Sequence, residues 1–139
     1  MPEDIAFIDT NILLYHLVQP DHELGPNSSA LLGRLRTGSE AGYISSTVVF
    51  ECIYALDKSY GAKKSEIADI LAEILGFPGV RSDHPHALID ALAFWRDQGP
   101  LSFADCFHLA LAKQMGMTRI YSLDQTMNRY PGVTRVEPG

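Results

Sequence analysis

The chain alternates short apolar runs with longer stretches in which hydrophobic residues recur at helical spacing. Ile5 to Ile8 is a short apolar run fit for a buried strand, closed by Asp9. Asn11 to Val18 reads as a helix that breaks before Pro20, and the Pro-, Asp- and Gly-rich stretch Gln19 to Pro26 reads as a surface loop. A helix is expected from Asn27 to about Thr37, with Asn27 or Ser28 as its cap and Gly38 just past its end. Tyr43 and Ile44 centre a second short strand. Ser46 or Thr47 then caps a helix to about Tyr60, stopped by Gly61. Lys63 to Leu75 is amphipathic, with Ile67, Ile70, Leu71, Ile74 and Leu75 on one face. A weak strand at Val80, a helix from about Pro85 to Gln98, and a helix opened by Ser102 and ended by Gly116 follow. Arg119 to Leu123 and Thr134 to Val136 read as the last strands. Short buried strands alternating with helices predict an α/β layer with a mainly parallel sheet.

Composition narrows this to an ordinary globular chain. Its 139 residues, 46% hydrophobic and 20% charged, suit one domain with a real core, and no repeat, low-complexity tract or linker interrupts it. No apolar run approaches the roughly 18 to 20 residues of a membrane helix. The acidic start Met1-Pro2-Glu3-Asp4 is the wrong opening for a secretory signal, so a cytoplasmic location is expected. Cys52 and Cys106 each sit inside an apolar helical run and read as buried free thiols rather than a bridge. The formal charge of −6 lacks the basic surplus by which nucleic-acid binders usually show themselves. Either the chain avoids nucleic acid, or its acids gather in a site where bound cations offset them.

Four acids stand in positions that favour the second reading. Asp9 and Asp124 follow predicted strands directly, at the sheet edge where open α/β folds bind ligands. Asp at a strand end also starts turns and caps helices. Glu51 is the only charge in Val48 to Leu56, and a carboxylate on a buried helix is costly unless paired or bound to metal. Its structural alternative is a narrow polar stripe of Thr47, Glu51 and Lys58 reaching solvent. Asp105 fits a capping box opened by Ser102, yet that geometry also presents its carboxylate at a helix N-terminus. Phosphodiester cleavage needs an activated water, charge stabilisation on the phosphoryl oxygens and help for the leaving oxygen. Mg²⁺ or Mn²⁺ held by a few carboxylates supplies all three. Thr10, Asn11 and Ser122 stand beside the acids as neutral helpers.

These residues resemble a known family. Ile8-Asp9-Thr10-Asn11-Ile12-Leu13 resembles the opening motif of PIN-domain nucleases, and Ser45-Ser46-Thr47-Val48-Val49-Phe50-Glu51 resembles their second. Ser102-Phe103-Ala104-Asp105-Cys106 is similar to the third. Ser122-Leu123-Asp124, followed by Val133 to Pro138, is similar to the fourth and the closing strand. The resemblance implies a single PIN-like domain, a mainly parallel central sheet flanked by helices, and Mg²⁺- or Mn²⁺-dependent endoribonuclease activity on RNA. It implies an acidic pocket of Asp9, Glu51, Asp105 and Asp124, with Asp9 and Asp105 foremost as metal ligands and Thr10, Asn11 and Ser122 in support. The family resemblance also implies a homodimer, and the compact length, similar to that of VapC-type toxins, implies an antitoxin partner. In one departure, Met127 stands where the last motif often has an aromatic, which touches packing more than chemistry.

Other readings were weighed against this one. A housekeeping RNA-processing nuclease of the same family would lack an antitoxin. A phosphatase of the haloacid-dehalogenase type wants a second Asp two residues after the first, where this chain has Asn11. A phospho-acceptor receiver domain wants a late Lys; Asp83 could be its acceptor, but no Lys follows Lys113. A PIN-like fold that only binds RNA or a partner would not need all four acids. His84-Pro85-His86 lacks a third metal ligand and reads as a solvated loop, His108 as a packed or surface helix residue, and Met115 and Met117 as helix-end filling. Arg34, Arg36, Lys58, Lys63 and Lys64 are either a phosphate-steering rim or scattered surface charge.

Overall fold

The computed structural model describes residues 4–139, so most of the acidic start at Met1–Glu3 lies outside the described residues. The chain forms an α/β structure in two compact units, one ending at Pro85 and one running from His86 to Gly139.

The first unit contains β1 (Ala6–Phe7), α1 (Thr10–Val18), α2 (Gly25–Thr37), β2 (Gly42–Tyr43), α3 (Ser46–Lys58), α4 (Lys64–Leu75) and β3 (Val80–Arg81). Its three strands lie in the order β1-β2-β3, all parallel. Register places Phe7 beside Tyr43 and Tyr43 beside Arg81, and Ile8 N–H and Ile44 N–H extend the ladder by one more bond each. The core is built from helix faces packed around this sheet, with Leu13, Leu35, Val49, Ile67 and Leu71 almost wholly removed from water. Each such side chain contributes roughly 1.5–3 kcal/mol through burial. Gly79 lets the chain enter β3, because a Cβ there would run into the Glu40 and Leu35 carbonyls.

The first strand and the start of α2 differ from expectation. The run from Ile5 to Ile8 is not a buried strand, since Ala6 is exposed and Phe7 is 63% exposed, leaving only Ile8 in the core. β1 is an outer strand of its ladder, and Phe7 rests on the Tyr43 ring at 5.7 Å with its remaining surface open. An apolar run cannot by itself distinguish an outer strand from a central one. The helix expected from Asn27 begins earlier, at Gly25, with Pro26 in its first turn and no side-chain cap from Leu24. Ser28 is buried inside that helix, donating to the Leu24 carbonyl at 3.0 Å rather than capping. Gly38 closes the helix as expected, in a left-handed conformation at φ 81°.

The second unit contains α5 (Pro85–Asp97, starting at the boundary), α6 (Phe103–Gln114), β4 (Arg119–Tyr121), a 3-10 helix (Gln125–Arg129) and β5 (Thr134–Val136). β4 and β5 pair in parallel, with Tyr121 beside Val136. Ala87, Leu88, Ala91, Leu92 and Leu109 are fully buried, and Trp95 meets Phe103 edge-on at 6.0 Å. The strand reading of Arg119 to Leu123 is shortened to Tyr121, and it is not buried: Tyr121 is 70% and Leu123 77% exposed. Met115 and Met117 are exposed, so neither fills the end of α6. Met127 is buried, in keeping with a packing role. Cys52 and Cys106 are buried free thiols, as their apolar surroundings predict.

Candidate active site

Parallel register brings three chain segments to one edge of the first unit. Asp9, Ser45 and Asp83 each stand two residues beyond the aligned row of Phe7, Tyr43 and Arg81. Asp9 follows β1 and caps α1, its Oδ1 accepting from Thr10 N–H at 2.8 Å. An anion at a helix N-terminus is favoured by the helix dipole and its unpaired N–H groups. Ser45 is the cap of α3, rather than Ser46 or Thr47, and accepts from Val48 N–H at 3.2 Å. Asp83, after β3, then takes the free groups of Ser46: Oδ1 accepts from Ser46 N–H at 2.9 Å and Oδ2 from Ser46 Oγ at 2.8 Å.

α3 is thereby fixed at its start, and it carries Glu51 one turn on. Glu51 is exposed, which corrects the reading of a buried carboxylate. Thr47, Glu51, Tyr54 and Lys58 are all exposed and recur at steps of four, three and four, so they form one solvent stripe. Tyr54, counted as apolar in the sequence, is 68% exposed and belongs to that stripe. Thr10 Oγ1 donates to Glu51 Oε1 at 2.6 Å, so Thr10 serves both carboxylates, one through its N–H and one through its hydroxyl. Asn11 is exposed immediately after.

In the second unit Ser102 Oγ accepts from Asp105 N–H at 3.1 Å, the cap expected from the sequence. Asp105 is half-buried, and its carboxylate accepts no hydrogen bond among the described residues. Asp124 caps the 3-10 helix: Oδ1 accepts from Thr126 Oγ1 at 2.6 Å and from Thr126 N–H at 2.9 Å. The Thr126 hydroxyl first, then its N–H, hold the Asp124 carboxyl below the usual carboxylate range, with a further push from Arg135. Ser122 Oγ accepts from Asp124 N–H at 3.1 Å, while Arg135 Nη1 donates to the Ser122 carbonyl at 2.9 Å.

The structure therefore joins Asp9, Thr10 and Glu51 in one unit, and Ser122 with Asp124 in the other. Among the described residues no three His, Cys, Asp or Glu side chains gather into a cluster that could hold a metal ion. The donor set is nonetheless of the right chemistry. Asp9, Glu51, Asp105 and Asp124 offer only hard oxygen, and each keeps at least one carboxylate oxygen outside its hydrogen bonds. Mg²⁺ needs few protein ligands of this kind and retains several waters. Asp83 and Arg135 were missed as site-supporting residues. Asp83 grips a residue 37 positions away, so no local spacing announces it. His86 and His108 are exposed. Arg34 is paired with Glu40 at 2.7 Å, and Lys58 stands 3.5 Å from Asp57, as scattered surface charge would be.

Compared with known families, the sequence matches the PIN domain over residues 6–133, which spans both units. The chain belongs to the PIN domain family. PIN domains are in general nucleases, so the chain has a nuclease fold, that of a hydrolase acting on nucleic acid. A comparison with curated proteins gives no match. No helix among the described residues of this PIN domain is long and apolar enough to cross a membrane.

Proposed function

We propose that this single PIN-like domain is a Mg²⁺- or Mn²⁺-dependent endoribonuclease, the toxin of a toxin–antitoxin pair, acting as a cytoplasmic homodimer that an antitoxin protein neutralises. The observation that carries the nuclease reading is Thr10, which ties Asp9 and Glu51 together at the carboxyl edge of a parallel sheet in a chain of this family. The toxin reading is supported by the resemblance of the four motifs to those of VapC-type toxins.

The proposed metal ligands are the carboxylates of Asp9 and Asp105, with Glu51 and Asp124 in the same role. When bound, the ion supplies water activation and charge stabilisation on the phosphoryl and leaving oxygens. The chain's own residues orient these groups. The Thr10 hydroxyl fixes Glu51 Oε1, and Oε2 is the oxygen that serves as proton acceptor or ligand. The Thr10 N–H fixes Asp9 Oδ1. Thr126 does the same for Asp124, keeping it ionised. Asn11 supplies a neutral amide for the scissile region. A receiver-type reading is disfavoured because both Asp83 oxygens are already engaged by Ser46.

Purified protein should cut a mixed RNA pool with Mg²⁺ or Mn²⁺ and stop with chelator. Equal cleavage in chelator would remove the metal from the mechanism. Expressed alone in a bacterial host, the chain should slow growth, with relief by Asp9→Asn or Asp105→Asn. Unimpaired growth with active protein would turn the reading to a housekeeping RNA-processing nuclease.

A further inference from the structure

A hollow of about 180 Å³ opens along α1, lined by Asn11, Leu14, Tyr15, Gln19 and Tyr60. We propose that it is a nucleobase subsite, which receives one unstacked base of a single-stranded RNA substrate next to the cleavage centre. The inference deepens the nuclease reading and rests on it.

Three observations carry it. The first is placement. Asn11 and Tyr15 are four residues apart on α1 and share a face, and Asn11 directly follows the residue that holds Asp9 and Glu51. Tyr60 arrives from the turn after α3, the helix that carries Glu51, and Gly61 at φ 61° turns the chain there. α1 and the turn that follows α3 therefore wall this hollow.

The second is the chemistry of the lining. Two phenol rings and one leucine supply flat apolar surface. The Asn11 and Gln19 amides each supply a donor and an acceptor. Among the described residues no charged side chain lines the hollow. Phosphate would be met by Lys or Arg; a neutral planar ring with hydrogen-bonding edges fits this lining instead. Single-stranded RNA is recognised in this manner, by aromatic stacking and by amides reading base edges.

The third is order. Tyr15 is half-buried and braced from one side by the His22 ring at 4.8 Å, so its position is set before any ligand arrives. Tyr60 is 45% exposed, which leaves ring surface available for a base.

The test uses the full chain carrying Asp9→Asn, so that RNA stays intact, and two single-stranded RNA oligomers of equal length. One carries bases at every position and the other is abasic throughout. Adding Tyr60→Ala should raise the Kd for the base-bearing oligomer roughly 5- to 100-fold, the range that loss of one stacked base produces, and leave the abasic one unchanged. Tyr60→Phe should restore binding, because the ring does the stacking. A 2-aminopurine in the oligomer should be quenched on binding and lose that quenching in Tyr60→Ala. Gln19→Ala, an exposed position, should shift the preference among base-bearing oligomers of different composition while leaving the quenching in place. Unchanged binding of the base-bearing oligomer by Tyr60→Ala would overturn the subsite and leave the nuclease reading intact. Equal weakening for both oligomers would also overturn it. If the parent binds neither oligomer and the wild-type chain leaves RNA uncut, the subsite falls together with the nuclease reading.

Discussion

The Thr10 hydroxyl lies 2.6 Å from Glu51 Oε1, across 41 residues of chain. Its own N–H is taken by Asp9 Oδ1 at 2.8 Å, so one small residue holds two acids, the cap of α1 and a residue of α3. A hydroxyl-to-carboxylate bond of this length is charge-assisted, and about twice as strong as a neutral one. It also engages one Glu51 oxygen and leaves the other outside this bond.

Thr10→Val keeps the shape and the N–H but deletes the hydroxyl. Cleavage should fall roughly 10- to 100-fold, the range seen when a group that orients a metal ligand is lost. Thr10→Ser should restore most of it. Single-turnover cleavage with thermal melting as a fold control checks this; a Val variant that cuts like wild type would detach Thr10 from the site.

The parts of the fold legible beforehand are those whose cause is local. Ser102 and Asp105 announce the start of α6 within four residues, and the structure has that cap. The 67/71/74 spacing of α4 puts Ile67, Leu71 and Ile74 in the core as expected. The start of α2 was misplaced because Leu24 offers no capping group and Pro26 looks like a loop residue when it is a first-turn residue. The 3-10 helix at Gln125–Arg129 is too short to show a period. Glu51 reads as buried because Val48 to Leu56 carries no other charge, yet Tyr54 in that run lies on the solvent stripe. The Asp83 clamp on Ser46 is a tertiary event with no local sign. For the candidate site the sequence offers the four acids as candidates; which group holds which is set by tertiary contacts it does not display.

Asp83 makes α3 sensitive to acid. Burial alone would raise its carboxyl, but the Ser46 hydroxyl and N–H, with the Ser82 hydroxyl, outweigh that and hold it below the usual carboxylate range. A folded value below the unfolded one means that the stabilisation is present above the unfolded pKa of about 3.9. It is lost as pH falls through the folded value. Asp83→Ala should cost about 0.5–2 kcal/mol at pH 7, the worth of a helix cap, measured by urea unfolding. Between pH 6 and pH 3, Asp83→Asn should lose less stability than wild type. Parallel losses in the two proteins would show that this carboxylate is not linked to folding.

Cys52 has no exposed surface, and its thiol is pushed up to about 12, by burial first and by the Glu51 charge second. The thiolate is the reactive form, so at pH 8 the native thiol is inert. Iodoacetamide should modify Cys52 only after unfolding, as followed by mass spectrometry. Because burial is the larger cause, Glu51→Gln should leave the protection in place. Rapid labelling of the native protein would mean that this part of α3 opens readily.

Asp9 both caps α1 and is a proposed metal ligand, and two substitutions separate these roles. Asp9→Asn keeps an Oδ1 that can accept from Thr10 N–H, so the capping bond survives while the charge is lost. Asn and Asp are near-equal as caps, and the variant should unfold within about 0.5 kcal/mol of wild type in chelator. Asp9→Ala removes the acceptor as well and should cost about 0.5–2 kcal/mol. Cleavage should vanish in both, since a neutral amide cannot replace a carboxylate on a hard cation. Metal that binds only the folded chain raises its melting temperature by mass action. Mg²⁺ or Mn²⁺ should therefore raise the Tm of wild type clearly, and raise that of Asp9→Asn much less. Thermal melts of the three proteins, with chelator and with metal, read all of these at once. If Asp9→Asn melts as low as Asp9→Ala in chelator, and metal moves none of the three, Asp9 is a helix cap and the metal reading of this site fails.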